Sequence, residues 1–280
     1  MRRSAVLEAV EGLVGSEELH KALKGVDIIG RIAVIKIPRE WEGIRHEIGE
    51  RILAKIGVDS VYMQTAPSRQ GDRVRGLEWL AGKRSTETIY SEHGCKFLVD
   101  IGKVYFSPRL SNERRRVADL VVNGETVVNM FAGVGTFSII IAKSKGARVF
   151  SIDNNPKAFE LMIENVAMNR LNGRVIPILA DAKEAASELD RSADRVLMPL
   201  PELAEAYLGE AVRMLSGKGW IHVYTHEMGG SKAEAMERAK TKILKSAEMF
   251  CETTRCEGKV VRSIGRRSYQ VVLDMQVIPH

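Results

Sequence analysis

The chain has 280 residues, 45% hydrophobic and 28% charged, enough to bury a core in one large domain or in a mid-sized domain plus a small one. It holds no low-complexity tract and no apolar run near the ~20 residues of a membrane helix. The start, MRRSAVLEAVEGLVGSEELH, carries acids too early for a secretory signal, so a disordered, membrane or secreted protein is not expected. Cys95, Cys251 and Cys256 form no CxxC pair, and an odd count in a chain this long fits reduced thiols in the cytoplasm and no structural zinc. Lys and Arg number 42 against 36 Asp and Glu, a net charge of +6. The excess is uneven: residues 51–120 hold 13 basic against 8 acidic side chains, residues 151–200 hold 6 against 8. A basic middle and tail fit a polyanion-binding surface, and on charge alone fit a solvated basic face equally well.

Taken in order, residues 4–24 read as one or two short helices. DIIGRIAVIKIP (27–38) alternates apolar and polar residues and stops at Pro38, so a strand is expected. In 40–56, Trp41, Ile44, Ile48, Ile52 and Ile56 recur at three or four, which predicts an amphipathic helix. VDSVYMQ (58–64) reads as a strand, TAPSRQGDRVRG (65–76) as a basic loop, and TETIYSEHGCKFLVDIG (86–102) as two strands around a His93-Gly94 turn. These elements predict a small α+β domain over 1–105. From residue 106 a second pattern sets in. A helix with an Arg run, RLSNERRRVADLVV, is followed by alternating strands and helices whose strands are nearly continuous apolar runs, as in a sheet covered by helices on both faces. A long helix from about 231 and a closing strand, SYQVVLDMQVI, complete a doubly wound α/β sheet over 106–280, with one or two late strands expected to run antiparallel.

Three sites along this second region carry chemistry. VVNMFAGVGTFSI (127–139) runs a strand into a Gly-bearing turn and a helix, with Gly133 and Gly135 able to take positive φ and to let a ligand approach the backbone. The third Gly of the dinucleotide fingerprint is missing, so a nicotinamide cofactor is disfavoured. Asp153 ends the next strand, eighteen residues after Gly135, where an acid accepts both hydroxyls of a ribose. Asp181 follows the third strand, where an acid can receive an adenine amino group. Singly, a GxG turn is common, and an Asp at a strand end is more often a helix cap. In order on consecutive strand–helix units, they form the pattern of class I (Rossmann-like) S-adenosylmethionine-dependent methyltransferases. After the fourth strand, Pro199 and Pro201 bracket Leu200 in a stiff turn whose carbonyls could face the crevice where a base would lie.

DIIGRIAVIKIP, GDRVRGLEWLAGKRSTETIYSEHGCKFLVDIGKVYFSPRLSNERRRV, VVNMFAGVGTFSI, SIDNNPKAFELMIENVAMNRL, PLPELAEAYL and GWIHVYTH resemble the archaeal and eukaryotic tRNA guanine-37 N1-methyltransferases, over roughly 27–278. KVYFSPRL followed by NER is the most specific part. The resemblance implies a methyl group moved from S-adenosylmethionine to N1 of guanosine-37 in the tRNA anticodon loop; a substitution at a sulfonium needs no metal, and a monomer is expected. It also implies a Rossmann-like methyltransferase domain preceded by a small RNA-binding domain. Family members often carry a further N-terminal domain that inspects the tRNA outer corner, and that contact is expected to be missing or reduced here.

Guanine N1 bears a proton, so the reaction asks for a base at N1 and positive charge at O6. The resemblance makes Glu113 the candidate base and Arg73 the O6 partner, with Arg75 as an alternative to Arg73. Tyr105 becomes a nucleotide contact, and Arg109 a contact to the cofactor or the catalytic carboxylate. By motif match Phe131, Ala132, Gly133, Gly135, Asp153, Asn154, Asp181 and Pro199 line the cofactor site. Arg75, Arg114, Arg115, Arg116, Arg266 and Arg267 are the expected RNA contacts. Without the resemblance, Glu113 reads as an acid pairing with Arg116 or Arg109 on its own helix, Tyr105 as core, and Arg73 and Arg75 as phosphate contacts. Two departures stand out. Pro199 replaces the Asn whose amide could read a guanine edge, and Asn129 replaces an acid at the end of the first strand. The alternatives are a wybutosine-pathway enzyme on the same scaffold, transferring an aminocarboxypropyl group or methylating the tricyclic intermediate, and an RNA-binding protein without catalysis.

Overall fold

The structure, a computed structural model, describes residues 8–13, 26–66 and 76–280. Of the helices expected over 4–24 only residues 8–13 are described, helical at 8–10, and the loop bearing Arg69, Arg73 and Arg75 lies outside the described residues. The chain divides into two compact units, residues 1–111 and 112–280.

The first unit holds a four-stranded sheet and a separate hairpin. DIIGRIAVI is not one strand but two, β1 (Asp27–Ile29) and β2 (Ile32–Ile35), paired antiparallel. The reason is Gly30. It sits at φ 56°, and a Cβ there would fall 2.3 Å from the carbonyl oxygen of Ile89, so the chain reverses at the one residue that fits. The amphipathic stretch forms a 3-10 turn and then α1 (Arg45–Ile56), which buries Ile48 and Ile52. β3 (Ser60–Ala66) pairs parallel to β2 and antiparallel to β4 (Gly76–Gly82). β4 was hidden in the sequence behind a polar, Gly-bearing stretch. β5 (Glu87–Glu92) and β6 (Cys95–Asp100) form the expected hairpin around His93 and Gly94. Ala33, Ile35, Trp41, Ile48, Ile52, Val61 and Leu80 make this unit's core.

The second unit is one seven-stranded sheet. α2 (Ser111–Leu120) leads into β7 (Thr126–Asn129), α3 (Thr136–Ser144), β8 (Arg148–Asp153), α4 (Pro156–Met168) and β9 (Arg174–Leu179). Then come α5 (Ala182–Glu188), β10 (Ala193–Met198), α6 (Leu208–Arg213), β11 (Leu215–Met228), α7 (Lys232–Ala247), β12 (Cys251–Gly265) and β13 (Ser268–Pro279). The strand order is β12-β13-β11-β10-β7-β8-β9. β7 to β11 run parallel, while β13 pairs antiparallel to both β11 and β12. The order reverses at β7, so the crevice at the carboxyl ends of β7 and β10 is the natural ligand site of such a sheet.

Two elements differ from expectation. β12 is a strand although CETTRCEGKVVRSIG lacks an apolar run. It is an outer strand with solvent along much of its length, where charged side chains are at home and discourage further pairing. ELAEAYLGEAVRML (202–215), which reads in the sequence as one helix, breaks into two 3-10 turns, Pro201–Leu203 and Glu205–Tyr207, before the short α6.

The sheet has two unlike sides at β11 and β13. Ile221, Val223, Leu273 and Met275 pack with Ala239, Ile243 and Ala247 of α7 in a continuous apolar core. The intervening residues, His222, Tyr224 and Asp274, are also buried. They point to the opposite side because strand side chains alternate, and there they meet α2.

Candidate active site

The Gly-bearing turn is pinned at the carboxyl ends of β7 and β8. The N–H of Met130 donates to the carbonyl of Leu197 at 3.0 Å and that of Ala132 to Ile152 at 2.8 Å. Gly135, at φ 83°, caps α3, and a Cβ there would lie 2.9 Å from Cγ of Met162. The N–H of Gly133 donates to Oδ2 of Asp153 at 2.6 Å, and that of Asn155 to Oδ1 at 3.0 Å. Burial pushes the Asp153 carboxyl above its ordinary value, and these two N–H groups oppose the shift. Each Asp153 oxygen keeps a free lone pair for an incoming hydroxyl pair.

Beside it, the rings of Phe131 and Tyr207 meet edge to face at 5.3 Å, and the Tyr207 hydroxyl donates to Oδ2 of Asp181 at 3.0 Å. Asp181 is also the cap of α5, accepting the Lys183 N–H at 2.8 Å, so the helix-cap reading of its sequence position holds alongside any binding role. Burial, reinforced by the Asp181 bond, pushes the Tyr207 hydroxyl up to about 12. Below the turn, Asn129 donates through Nδ2 to Oγ of Ser138 at 3.2 Å, while Asn129 Oδ1 and Ser151 Oγ are buried without a hydrogen-bond partner. Asn129 and Ser151 are register partners on β7 and β8. The crevice therefore offers an acid for a ribose, an aromatic pair beside a second acid, and spare buried acceptors at the head of β7. Those groups suit a nucleoside with a cationic substituent, and S-adenosylmethionine has that chemistry.

The Pro199–Pro201 turn departs in detail from expectation. The carbonyl of Leu200 accepts the Leu203 N–H at 3.1 Å and is engaged within the 3-10 turn. Asn154 is exposed, whereas Asn155 caps α4 by accepting from Lys157 and Ala158.

Glu113 stands in the first turn of α2 and is 4% exposed. Its Oε1 accepts from Arg116 Nη2 at 2.7 Å and from the Tyr224 hydroxyl at 2.7 Å; its Oε2 accepts from Arg116 Nε at 2.9 Å. Three of the four acceptor positions of a carboxylate are thus filled, and one remains, on Oε2. Arg116 reaches on to Asp274 at 2.5 Å, and Asp274 Oδ1 to His222 Nδ1 at 2.5 Å. His222 Nε2 lies 2.7 Å from Arg195 Nη1, and Arg195 forms a fork with Glu125 at 2.8 and 3.0 Å. A guanidinium only donates, so His222 Nε2 is an acceptor and its proton sits on Nδ1, directed at Asp274. Burial holds the His222 imidazole below its usual value and raises the Tyr224 hydroxyl well above its own. Arg116 and His222 hold the Asp274 carboxyl well below the carboxylate range against its burial. The Tyr224 ring meets Phe137, two residues beyond Gly135, at 6.1 Å, which links this network to the glycine turn.

The expected RNA contacts divide. Arg114 is 2% exposed and Arg116 is committed to Glu113 and Asp274, so neither offers its guanidinium to a phosphate, and the expectation for these two is corrected. The cause is that α2 turns its Glu113–Arg114–Val117 side inward and, of its three arginines, fully exposes Arg115 alone, which pairs with Asp119. Arg266 and Arg267 are exposed at the turn joining β12 and β13. In the first unit, Arg109 pairs through Nε with Asp27 at 2.7 Å, a partner that sequence spacing did not suggest, and Tyr105 is half-buried. Tyr207, Tyr224 and Asp274 went unnoticed in the sequence, and His222 read only as a strand residue. The alternation of His222 and Tyr224 in GWIHVYTH was the one available signal.

A seven-stranded sheet of this order, with a Gly turn after its central strand and an acid ending the next, defines a Rossmann-like methyltransferase of the S-adenosylmethionine-dependent class. A family model described as the TRM5/TYW2 methyltransferase domain matches residues 88–257, and one described as the TYW2 N-terminal domain matches residues 6–86. The chain belongs to the TRM5/TYW2 methyltransferase family. It is 39% identical to the tRNA (guanine(37)-N(1))-methyltransferase Trm5b of Pyrococcus abyssi, over 93% of this chain and 77% of that protein. It is 36% identical to the tRNA 4-demethylwyosine(37)-methyltransferase Taw21 of Saccharolobus solfataricus, over 90% and 94%. Among solved structures, that of aTrm5 in complex with tRNALeu superposes with a TM-score of 0.84 at 34% identity, covering 99% of this chain and 79% of the other. Methanocaldococcus jannaschii TYW2 in complex with AdoMet gives 0.70 at 27% identity, covering 91% and 100%.

Proposed function

We propose that the protein methylates N1 of guanosine-37 in the tRNA anticodon loop, with Glu113 as the base. The observation that carries this reading is the Glu113 carboxylate itself, buried, held by Arg116 and Tyr224, and left with one acceptor position on Oε2. The P. abyssi relative bears the name of this activity, and the complex of aTrm5 with tRNALeu supports tRNA as the partner.

Bound S-adenosylmethionine supplies a methyl carbon on a sulfonium, which becomes a neutral thioether on transfer. Asp153 takes the ribose hydroxyls, the adenine packs against the contacting pair of Phe131 and Tyr207, and Asp181 receives its amino group. The backbone of Ala132 to Gly135 forms the floor, and Asn129 Oδ1 receives the amino group of the methionine part. The residues then act on the base. Glu113 accepts the N1 proton as the carbon–N1 bond forms, and a positive side chain, Arg73 by resemblance, offsets the charge gathering at O6. Arg109 and Tyr105 remain candidates for holding the nucleotide, and Arg115, Arg266 and Arg267 for phosphates. Extruding a loop base into such a pocket costs less than unpairing a duplex base.

A second reading, methylation of the 4-demethylwyosine base at the same tRNA position, is favoured by Pro199. That residue has no side-chain amide with which to read a guanine edge, and the S. solfataricus Taw21 relative is nearly coextensive with this chain. Anticodon stem-loops bearing G37, A37 or the tricyclic base, incubated with S-adenosylmethionine and analysed by nucleoside mass spectrometry, separate the readings. N1-methylguanosine from G37 alone is expected. Product from the tricyclic base alone would replace the first reading with the second, and a gain of the aminocarboxypropyl mass would overturn both.

A further inference from the structure

The polar side of β11 and β13 is unusual for the interior of a doubly wound sheet. Glu113, Arg116, Asp274, His222, Arg195 and Glu125 form one unbroken chain of hydrogen bonds, with Tyr224 joined at the Glu113 end. Replacing such a buried ionic chain by apolar residues is often neutral or stabilising, so stability alone does not explain it. Nor can it carry a proton away from Glu113. Two arginines interrupt it, a guanidinium does not give up a proton near neutral pH, and His222 accepts from Arg195 on one nitrogen while donating to Asp274 from the other.

What the chain can do is fix geometry. The fork of Arg116 is held at both ends, by Glu113 and by Asp274. His222 and Arg195 anchor Asp274 from behind, and Arg195 is itself fixed by Glu125. Arg116 and Tyr224 approach Glu113 from two different elements, so the plane of the carboxylate is set by three bonds and its remaining acceptor position is aimed in one direction. We propose that Tyr224 and Arg116, the latter steadied by Asp274 and His222, are positioning residues that aim Oε2 of Glu113 at the proton to be removed. This inference rests on the reading of Glu113 as the base.

The test is a double-mutant cycle on steady-state methylation of a G37 stem-loop, with Tyr224→Phe, Glu113→Gln and the pair together. Tyr224→Phe keeps the ring against Phe137 and removes only the hydroxyl. It is expected to lower kcat by about 10-fold with KM for tRNA and for S-adenosylmethionine within about twofold, the pattern of an interaction that matters in the transition state. Added to Glu113→Gln, it should lower the rate no further, because residues acting as a unit are non-additive. Arg116→Lys keeps the charge but loses the fork, and should show the same split of kcat from KM. Calorimetric binding of S-adenosylmethionine to each variant verifies that the fold is retained. If the losses of Tyr224→Phe and Glu113→Gln multiply, or Tyr224→Phe equals the parent enzyme, the positioning role is wrong. A Glu113→Gln enzyme that itself keeps its rate removes the base assignment instead, so the two failures are distinct.

Discussion

Asp153 and Asp274 belong to the same sheet, and both are drawn out of water, yet they are held in opposite ways. Asp153 is met by two backbone N–H groups, from Gly133 and Asn155, and burial raises its carboxyl. Asp274 is met by a guanidinium and an imidazole, which push its carboxyl down against burial. The backbone of a turn leaves an acid ionised at some cost and with lone pairs to spare, the condition of a group waiting for a ligand. A guanidinium and an imidazole N–H use an acid up and make it part of the frame. Nearness to a conspicuous motif does not distinguish the two; the identity of the donors does.

The sharpest way to break this contrast is to remove each acid and compare. Asp274→Ala strands Arg116 beside a lone Glu113 and leaves His222 without an acceptor. Breaking one partner of a buried ion pair costs about 3–5 kcal/mol, so denaturant melts should show a loss of that order, with donor affinity in the surviving folded fraction little changed. Asp153→Asn should act chiefly on donor binding. On the role proposed for Asp153, it weakens the bonds to the ribose hydroxyls and lowers donor affinity by roughly 10–100-fold in calorimetry, while the backbone N–H left facing the new amide –NH2 costs about 1–3 kcal/mol of stability, less than the loss for Asp274→Ala. Equal stability losses in the two variants would undo the distinction.

Acid titration sharpens it further. The folded His222 binds its proton less readily than the unfolded residue, whose ordinary value is 6.5, so its contribution to stability is present above that value and fades as pH falls through and below it. Asp274, also depressed in the fold, adds a second loss below the ordinary 3.8. Asp153 works with the opposite sign. Its raised carboxyl makes the ionised form costly to the fold, so stability on its account increases as pH falls towards the carboxylate range. Melts between pH 7 and 3 should therefore decline for the parent protein and decline less steeply below pH 4 for Asp274→Asn. A parallel decline in the two would mean that Asp274 is not held by Arg116 and His222 in solution.

The same contrast explains which parts of the molecule were legible in the sequence. Asp153 and the Gly133–Gly135 turn could be read because a turn that serves through its backbone needs particular residues at fixed spacing. The α2-facing network could not. Asp274 reaches Arg116 across 158 residues and His222 across 52, and no local pattern records a pairing made by strand register. Arg114 and Arg116 misled for a related reason: a run of arginines looks the same whether its helix faces solvent or a buried acid. β12 was lost because an exposed strand carries polar residues, β4 because it is short, begins and ends on glycine and follows a polar stretch, and β1 and β2 were fused because Gly30 looked like an interruption rather than a turn. The alternating strands and helices of the second unit were plain, since both faces of that sheet are covered and the strands are continuous apolar runs.

The smallest expected effect concerns an acid that sits between the two cases. Asp181 accepts one backbone N–H, from Lys183, and one side-chain hydroxyl, from Tyr207, so it is partly cap and partly available. Tyr207→Phe removes the hydroxyl and leaves the ring against Phe131. The lost bond is worth about 0.5–1.5 kcal/mol, and because Asp181 lies near solvent, water can take the vacated place. Stability should therefore fall by the lower end of that range. Donor affinity should hold or rise slightly, since an acceptor oxygen is released toward the adenine side. If instead affinity falls by tenfold with stability unchanged, the Tyr207 hydroxyl contacts the donor directly, and Asp181 is then a capping residue like Asn155 at the start of α4.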